Sequence, residues 1–515
     1  MKKNAEKETM TTNQKKNPRI LIVTPETTYL PEGMGNLANT MAAKAGGLAD
    51  VSAALIGALF AQGADVHVAL PHYRAMFDNR LDPVLRQQRQ MIQEQMPTDR
   101  IHLAEDRAFF YLNNVYSSYG WENLRMSLAF QREVMNNIVP RVKPDLIHCN
   151  DWMTALVPAM SRQMGIPCLF TIHNIHTVKT TLAQIEDRGI DAAYFWDHLF
   201  YENMAEEYES ARETNPVDFL TSGIFGAHFV NTVSPTFLKE IVDGHHEFVA
   251  PHIRRELTNK WHAQCAGGIL NAPDPSYKPL KDKALVYQYD EKNHVIGKLR
   301  NKRFLQNKLG LVKNDQAPLF FWPSRMDGIQ KGCTLMAEIL YHVLDTYWKD
   351  QLQIVFVASG SFRQHFVDIV AFHGLKDRVA VCEFDENLSR LAFAASDFIL
   401  MPSLFEPCGL PQMIAPIYGS LPVARDTGGI HDTVRHLDVD KNTGNGFLFE
   451  TYDSGGLFWA ITQAMEFYKR PLAEREANIR RIMTQAARTF NHHVTARQYI
   501  VLYEKMLDRP LVHEE

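Results

Sequence analysis

Residues 19–24 read RILIVT, and residues 48–70 read LADVSAALIGALFAQGADVHVAL. The first run has the apolar, β-branched character of a short buried strand. The second begins with apolar residues at helical spacing and ends, after Gly63, in another strand-like run, DVHVAL at 65–70. A strand, a helix and a second strand in succession are typical of the βαβ unit, in which the two strands lie parallel. The chain therefore opens with an α/β pattern.

The alternation of strand and helix continues through both halves of the chain. Helical patterns occur at 48–62 and 124–139, and the first half has further strand-like runs at residues 108–112, 145–148, 168–172 and 228–233. The second half has strand-like runs at residues 318–322, 353–357, 379–384, 397–401, 421–424 and 446–449. Apolar strands of this kind predict parallel sheets covered on both faces. We expect an α/β protein with two doubly wound domains that face each other across a ligand-binding cleft.

Breaks in the pattern suggest the domain boundaries. Residues 267–275, GGILNAPDP, are dense in glycine and proline and predict a hinge. We therefore expect one domain over residues 18–272 and a second over 273–493. Within the last segment, 494–515, the run VTARQYIVLYEKML predicts an amphipathic helix. Residues 1–17 are polar and predict a disordered tail, because they lack the apolar core of a signal peptide.

Composition and charge exclude several classes of protein. Of 515 residues, 45% are hydrophobic and 22% charged, the balance of a globular chain of two or three domains. A net charge of −5 gives no general attraction to nucleic acid or to an anionic membrane. No stretch approaches the roughly 18–20 apolar residues of a membrane span. The six cysteines form no CxxC motif, so we expect no disulfide framework, no zinc site and a reducing cytoplasm.

Three motifs of the first half could touch a ligand. KAGGLAD at residues 44–50 opens a predicted helix, where paired glycines admit a ligand close to the backbone and Lys44 adds a cation for phosphate. HCNDW at 148–152 and TIHN at 171–174 place polar groups where a strand leaves the core. Asn and Asp in such positions also cap helices, so a purely structural role stays open.

A competing motif is GMGNLA at residues 33–38, which matches the dinucleotide fingerprint GxGxxA. The fingerprint should follow its strand directly, yet Gly33 lies nine positions after Thr24, and the next strand ends in LPHY without an acid for a ribose. A nicotinamide enzyme is therefore disfavoured.

The second half supplies cations and an acid. Arg325 and Lys331 follow the strand-like run 318–322, and two such cations beyond a strand end suit a diphosphate leaving group. In LFEPCGLPQ, at 404–412, Glu406 is an acid in an apolar setting, which favours a functional role. DTGGI at 426–430 is a second Gly-Gly turn before a helix.

Together these motifs resemble the glycogen and starch synthases of the bacterial and plant type. KAGGLADV resembles that family's KxGGLxDV signature, and the other motifs follow in the family's order: HCNDW, TIHN, NTVSPTF, SRMDGIQKG, LMPSLFEPCGL, TGGIHDTV and NTGNGFLFE. The resemblance runs from about residue 19 to residue 507. It implies a GT-B fold, in which two Rossmann-like domains face each other and the second holds most of the nucleotide sugar.

The resemblance also implies an activity: transfer of glucose, with retention of configuration, from a nucleotide diphosphate glucose to the non-reducing end of an α-1,4-glucan. ADP-glucose is favoured over UDP-glucose, and neither a metal nor a redox cofactor is implied. No residue is an obvious covalent nucleophile. The family suggests a front-side path, in which the leaving phosphate helps to deprotonate the acceptor hydroxyl.

Residue roles follow from the same resemblance. The implied catalytic residues surround the glucose or neutralise the diphosphate: Asp151, His173, Arg325, Lys331 and Glu406. The implied substrate-binding residues contact the phosphates, the sugar or the base: Lys44, Gly46, Gly47, Asp50, Asn174, Asp218, Phe384, Cys408, Gly409, Leu410, Thr427 and Gly428. Among these, Phe384 falls where the family stacks an aromatic ring on the nucleotide base.

The chain departs from the family at several positions. Asp218 replaces the usual Asn near the glucose, Thr221 replaces a Lys, and the loop 27–43 is unusually long. Arg325 and Lys331 are six residues apart where the family has five. These departures leave open a small-molecule acceptor on the same fold. An inactive glucan-binding or regulatory homologue is a third possibility, which the intact cations and Glu406 oppose.

Overall fold

The computed structural model describes residues 17–35, 42–78 and 100–512. Most of the predicted tail and residues 36–38 of the GMGNLA motif lie outside these ranges. In the described part of the chain, the first helix after residue 24 begins at Gly47. The ends of the long loop 27–43 are joined, because Thr27 and Ala43 exchange backbone hydrogen bonds of 2.8 and 3.0 Å.

Parallel strands form the first sheet. They are β1 (Arg19–Val23), β2 (Asp65–Pro71), β3 (Ile101–Ala104), β4 (Leu146–Asn150), β5 (Cys168–Ile172), β8 (Phe229–Thr232) and β9 (Ala266–Gly268). The two strands between β5 and β8 in the chain, β6 (Lys179–Thr180) and β7 (Val217–Asp218), form a separate antiparallel pair. The spatial order of the parallel strands is β3-β2-β1-β4-β5-β8-β9. The order reverses between β1 and β4, which is the position where doubly wound sheets bind ligands.

Helices cover both faces of this sheet. The longer ones are Gly47–Ala61, Gly120–Glu133, Val157–Gln163, Phe219–Gly226, Pro235–Val242 and Pro251–His262. The helix Gly120–Glu133 continues through a π-helical turn, Val134–Ile138, into Val139–Val142. Shorter helices lie at Arg74–Asp78, Arg107–Phe110, Trp152–Thr154, Leu182–Glu186, Ala192–Tyr194, Trp196–His198 and Tyr208–Arg212.

The strand predicted at residues 108–112 is wrong. These residues begin in the helix Arg107–Phe110, and the neighbouring strand is β3. The cause is Asp106, whose carboxylate accepts a 2.6 Å hydrogen bond from the Ala108 amide and caps the helix. A short apolar run cannot be assigned to strand or helix by periodicity alone.

The second sheet repeats the same topology. Its strands are β10 (Leu319–Trp322), β11 (Gln353–Val357), β12 (Val379–Cys382), β13 (Phe398–Met401), β14 (Leu421–Arg425) and β15 (Phe447–Phe449). They are parallel, in the order β12-β11-β10-β13-β14-β15. The helices are His294–Leu309, Cys333–Thr346, Arg363–Phe372, Glu386–Ala395, Pro411–Ile417, Gly428–Thr433, Ser454–Tyr468 and Leu472–Thr489. Two doubly wound domains are thus confirmed, as is every predicted strand except 108–112.

The last helix, His492–Leu507, returns to the first domain. Asn491 caps it, accepting a hydrogen bond from the Val494 amide. The buried Tyr503 hydroxyl lies 2.8 Å from Nδ1 of His148, and Asn231 donates to the Tyr499 hydroxyl at 2.9 Å. The predicted amphipathic helix therefore packs beneath strands of the first sheet, so the chain crosses between its domains twice.

Candidate active site

A cavity of about 310 Å³ lies where the two domains meet. The first domain and hinge contribute Gly47, Leu48, Val51, His173, Asn174, Val233 and Asn271. The second domain contributes Ser324, Arg325, Gln330, Lys331, Glu406, Pro407, Cys408, Gly409, Leu410 and Pro411. Most of the implied catalytic residues therefore share one pocket although they lie far apart in sequence.

An ion pair occupies the second-domain wall of this pocket. Nζ of Lys331 lies 2.6 Å from Oε2 of Glu406, with side chains only 12% and 6% exposed. The Ser403 hydroxyl donates to the same carboxylate oxygen at 3.2 Å. Gly332 permits this approach, since it has φ +73° and a Cβ there would lie 1.9 Å from the Pro402 carbonyl oxygen. Ser403 could not be predicted from the sequence, because a lone serine carries no pattern.

The turn that carries Arg325 and Lys331 is built around Asp327. Its carboxylate accepts hydrogen bonds from the amides of Gln330 (2.7 Å) and Ile329 (2.9 Å). These bonds, with that from Gln330 first, lower the pKa of Asp327. The six-residue spacing between the two cations thus corresponds to a closed turn that still directs both toward the pocket.

The turn Thr427–Gly428–Gly429 supports Glu406 from behind. The Gly429 amide donates to the Glu406 carbonyl at 2.9 Å. A Cβ on Gly428, where φ is +45°, would lie 2.1 Å from that same carbonyl oxygen. Thr427 and Gly428 do not line the pocket, and the contact of Gly428 with the Glu406 carbonyl makes this turn part of the scaffold of Glu406.

His173 lies at the end of β5, on the first-domain wall. Its Nε2 is 3.0 Å from Oδ1 of Asn150, whose amide nitrogen donates to the Val23 carbonyl, so Nε2 carries the proton. Burial lowers the pKa of His173 to about 3. The ring is therefore neutral at physiological pH, with Nδ1 as its acceptor.

Asp151 is hydrogen-bonded to the backbone of this histidine. Its Oδ1 accepts hydrogen bonds from the amides of His173 (2.8 Å) and Asn174 (3.4 Å). Its own backbone has φ 60° and ψ 176°, a conformation that non-glycine residues adopt only under strain. Burial raises its pKa to about 7, and the nearby Glu26 also favours the protonated form. Asp151 therefore shapes the turn that presents His173, without lining the pocket itself.

The KAGGLAD motif contributes mainly Gly47. Lys44 is paired with Asp50 (Nζ–Oδ2 2.8 Å), and the Gly46 amide donates to Glu26 at 3.0 Å. Burial raises the pKa of Glu26. Glu26 was not predicted from the sequence, although an acid three residues beyond β1 is the kind of strand-end signal that could have identified it.

Both halves of the chain match families of known proteins. Residues 19–254 match the starch synthase catalytic domain family, and residues 317–466 match the glycosyl transferases group 1 family. Glycogen synthase of Exiguobacterium sibiricum is 31% identical over 495 residues, which span 89% of this chain and 95% of that protein. Glycogen synthase of Bacillus subtilis is 32% identical over 451 residues, spanning 82% and 88%. The chain belongs to the glycogen synthase family.

A solved structure supports the same assignment. The catalytic domain of Arabidopsis thaliana starch synthase IV, bound to ADP and acarbose, superposes with a TM-score of 0.75 at 26% identity, covering 96% of this chain and all of that one. The chain is thus a glycosyltransferase with the GT-B fold that the resemblance implied. No helix in the described ranges combines the length and apolar character needed to cross a bilayer.

Two further expected ligand contacts of this glycogen synthase homologue, Asp218 and Phe384, also lie outside the pocket lining. Oδ1 of Asp218 accepts hydrogen bonds from the Thr221 amide (2.9 Å) and from the hydroxyls of Thr221 and Thr177. Asp218 therefore caps a helix and lines a separate cavity of about 1080 Å³. Phe384 is 57% exposed, two residues beyond β12. The two residues that depart from the family here, Asp218 and Thr221, are hydrogen-bonded to each other.

Proposed function

We propose that this enzyme transfers glucose from ADP-glucose, or from UDP-glucose, to the non-reducing end of an α-1,4-glucan with retention of configuration. The observation that carries the proposal is the Lys331–Glu406 pair, which shares one interdomain pocket with Arg325 and His173. The glycogen synthase relatives and the ADP complex of the starch synthase IV domain support it.

The donor diphosphate would be held by Arg325 and Lys331. In a site that excludes water, two fixed cations stabilise the charge that develops on a departing diphosphate. Lys331 would then exchange part of its contact with Glu406 for the phosphate. The Glu406 carboxylate, released toward the sugar, would stabilise positive charge that develops on the glucosyl ring.

Groups from both domains would bind the transferred glucose. Neutral His173 can accept a hydrogen bond from a sugar hydroxyl through Nδ1, because Nε2 is already bonded to Asn150. Gly409 and Leu410 would offer backbone groups to the glucose. In a front-side reaction the leaving phosphate accepts the proton of the attacking hydroxyl, and the glucosyl–phosphate bond breaks as the glucosyl–acceptor bond forms.

The remaining assignments follow as proposals. We place the acceptor glucan along the first domain and the enzyme in the cytoplasm. All six cysteines are free, which fits a reducing compartment. One argument for a small-molecule acceptor was a negative charge at Asp218 beside the donor. This argument is weakened, since Asp218 lies outside the pocket lining.

Incubation with labelled ADP-glucose or UDP-glucose tests the proposal, with glycogen, maltose and small alcohols as acceptors. Label in polymer, absent with the Glu406→Gln variant, is the expected result. If the donor is turned over only with small acceptors, the acceptor is a small molecule and not a glucan. Glycogen binding without turnover of either donor would contradict the enzyme assignment.

A further inference from the structure

Each domain contributes a carboxylate that accepts a hydrogen bond from an amide at the start of a helix in the other domain. On the first domain, the helix Pro235–Val242 receives Asp432 of the second domain, whose oxygens accept from the Thr236 amide (3.2 Å) and hydroxyl (2.6 Å). In the opposite direction, Glu240 accepts a 2.9 Å hydrogen bond from the Gly428 amide. Each carboxylate thus satisfies amides that a helix end leaves without internal partners.

Glu240 is held in an ionised state at this interface. Nε2 of His246 lies 2.9 Å from its Oε2, and the Thr427 hydroxyl donates to both carboxylate oxygens at 3.2 Å. Burial opposes ionisation, but the bonds from His246 and the Gly428 amide outweigh it and lower the pKa of Glu240. The Gly428 amide is therefore committed to Glu240 in this closed arrangement.

The turn that Glu240 holds is the one that supports Glu406. Gly428 and Gly429 press against the Glu406 carbonyl, which accepts the Gly429 amide at 2.9 Å. On the other side, Phe248 of the first domain stacks on Phe405 with ring centroids 3.9 Å apart. Two interdomain contacts thus act on the residues around Glu406: Glu240 binds the turn 427–429, and Phe248 stacks on Phe405.

We infer that Glu240 is a positioning residue that couples closure of the two domains to the placement of Glu406. When the domains meet, Glu240 fixes the turn 427–429, and this turn fixes the backbone that carries the Glu406 carboxylate. When they separate, the tie is lost and Glu406 is no longer set against the sugar. The inference rests on the proposed role of Glu406, whereas the tie itself can be tested without activity.

The main variant is Glu240→Ala, compared with Glu240→Gln and with a matched control, Glu247→Ala, at an exposed neighbouring position. We expect the alanine variant to lower kcat by about 30-fold while donor KM changes less than about threefold, because Arg325 and Lys331 are untouched. Glutamine keeps an acceptor oxygen for the Gly428 amide and should restore kcat to within about threefold of the wild type. The control should match the wild type.

Hydrogen exchange of the peptide that covers residues 426–430 supplies the second measurement. Loss of the tie should speed its exchange about tenfold in Glu240→Ala but not in Glu247→Ala. Unchanged exchange would overturn the tie even if the enzyme proved inactive with every donor. Faster exchange with an unchanged kcat would overturn the coupling to Glu406. If the alanine variant does not fold, Glu240→Asp, which shortens the reach to Gly428, carries the same test.

Discussion

On the first-domain side, the charged groups near the pocket do not line it and are bonded to their own domain. Lys44 pairs with Asp50, and Asp151 is bonded to backbone amides. On the second-domain wall, Lys331 and Glu406 pair with each other inside the pocket. A ligand that bears negative charge can compete for Lys331 directly. The difference indicates that the first domain shapes the pocket while the second supplies most of its electrostatic stabilisation.

The largest effect should come from the second-domain wall. Lys331→Ala and Glu406→Ala should each lower kcat by about a thousandfold, because each removes a group that acts on charge developing in the transition state. Initial rates with labelled donor and glycogen measure this, and Lys313→Ala, an exposed lysine of the same domain, is the control. A variant of either pocket residue with near-normal kcat would contradict its assignment.

The same pair should also show in stability. Lys331→Met leaves the Glu406 carboxylate buried without a cation, which should lower the free energy of unfolding by about 3 kcal/mol. Adding Glu406→Gln removes the unpaired charge and should recover most of that loss. Urea unfolding of the wild type, both single variants and the double variant measures the coupling. Additive losses would show that the two groups do not form a pair.

Much of this arrangement could be predicted from the sequence, and the failures have physical reasons. His148 and His173 both follow the same local pattern at a strand end, yet only His173 lines the pocket. His148 is instead buried between Thr171 and Tyr503. A partner 355 residues away in sequence leaves no trace in a local motif. Motifs therefore located the strand ends, whereas distant packing decided which side chains face the ligand.

The Gly-Gly turns show the same limit. Both were expected to contact the donor, but Gly428 and Gly429 are required because a Cβ at either position would collide with the backbone of Glu406 or Cys408. A glycine needed for close backbone approach and a glycine needed for a ligand have the same sequence signature. Glu240 has no signature at all, because its partners Thr427 and Gly428 lie on the other domain.

A smaller effect should reveal the strain stored under His173. Asp151→Gly and Asp151→Ala both remove the carboxylate, but only glycine adopts φ 60° and ψ 176° freely. The glycine variant should therefore be more stable than the alanine variant by about 2 kcal/mol. At Asp187, where φ is −56° and ψ −16°, the same two substitutions should rank in the opposite order. Equal stabilities at position 151 would mean that the backbone relaxes there.

The smallest effect should come from Lys44, which lies on the first domain in the motif that contributes Gly47 to the pocket. Its side chain is 42% exposed and paired with the partly exposed Asp50, and a pair of this kind contributes at most about 1 kcal/mol to stability. If Lys44 reaches the donor phosphates from this position, it adds uniform binding rather than transition-state stabilisation. Lys44→Ala should then raise donor KM about tenfold and leave kcat nearly unchanged. A fall in kcat as large as that of Lys331→Ala would show that both domains stabilise the developing charge. The proposed difference between a shaping first domain and a charge-stabilising second domain would then be wrong.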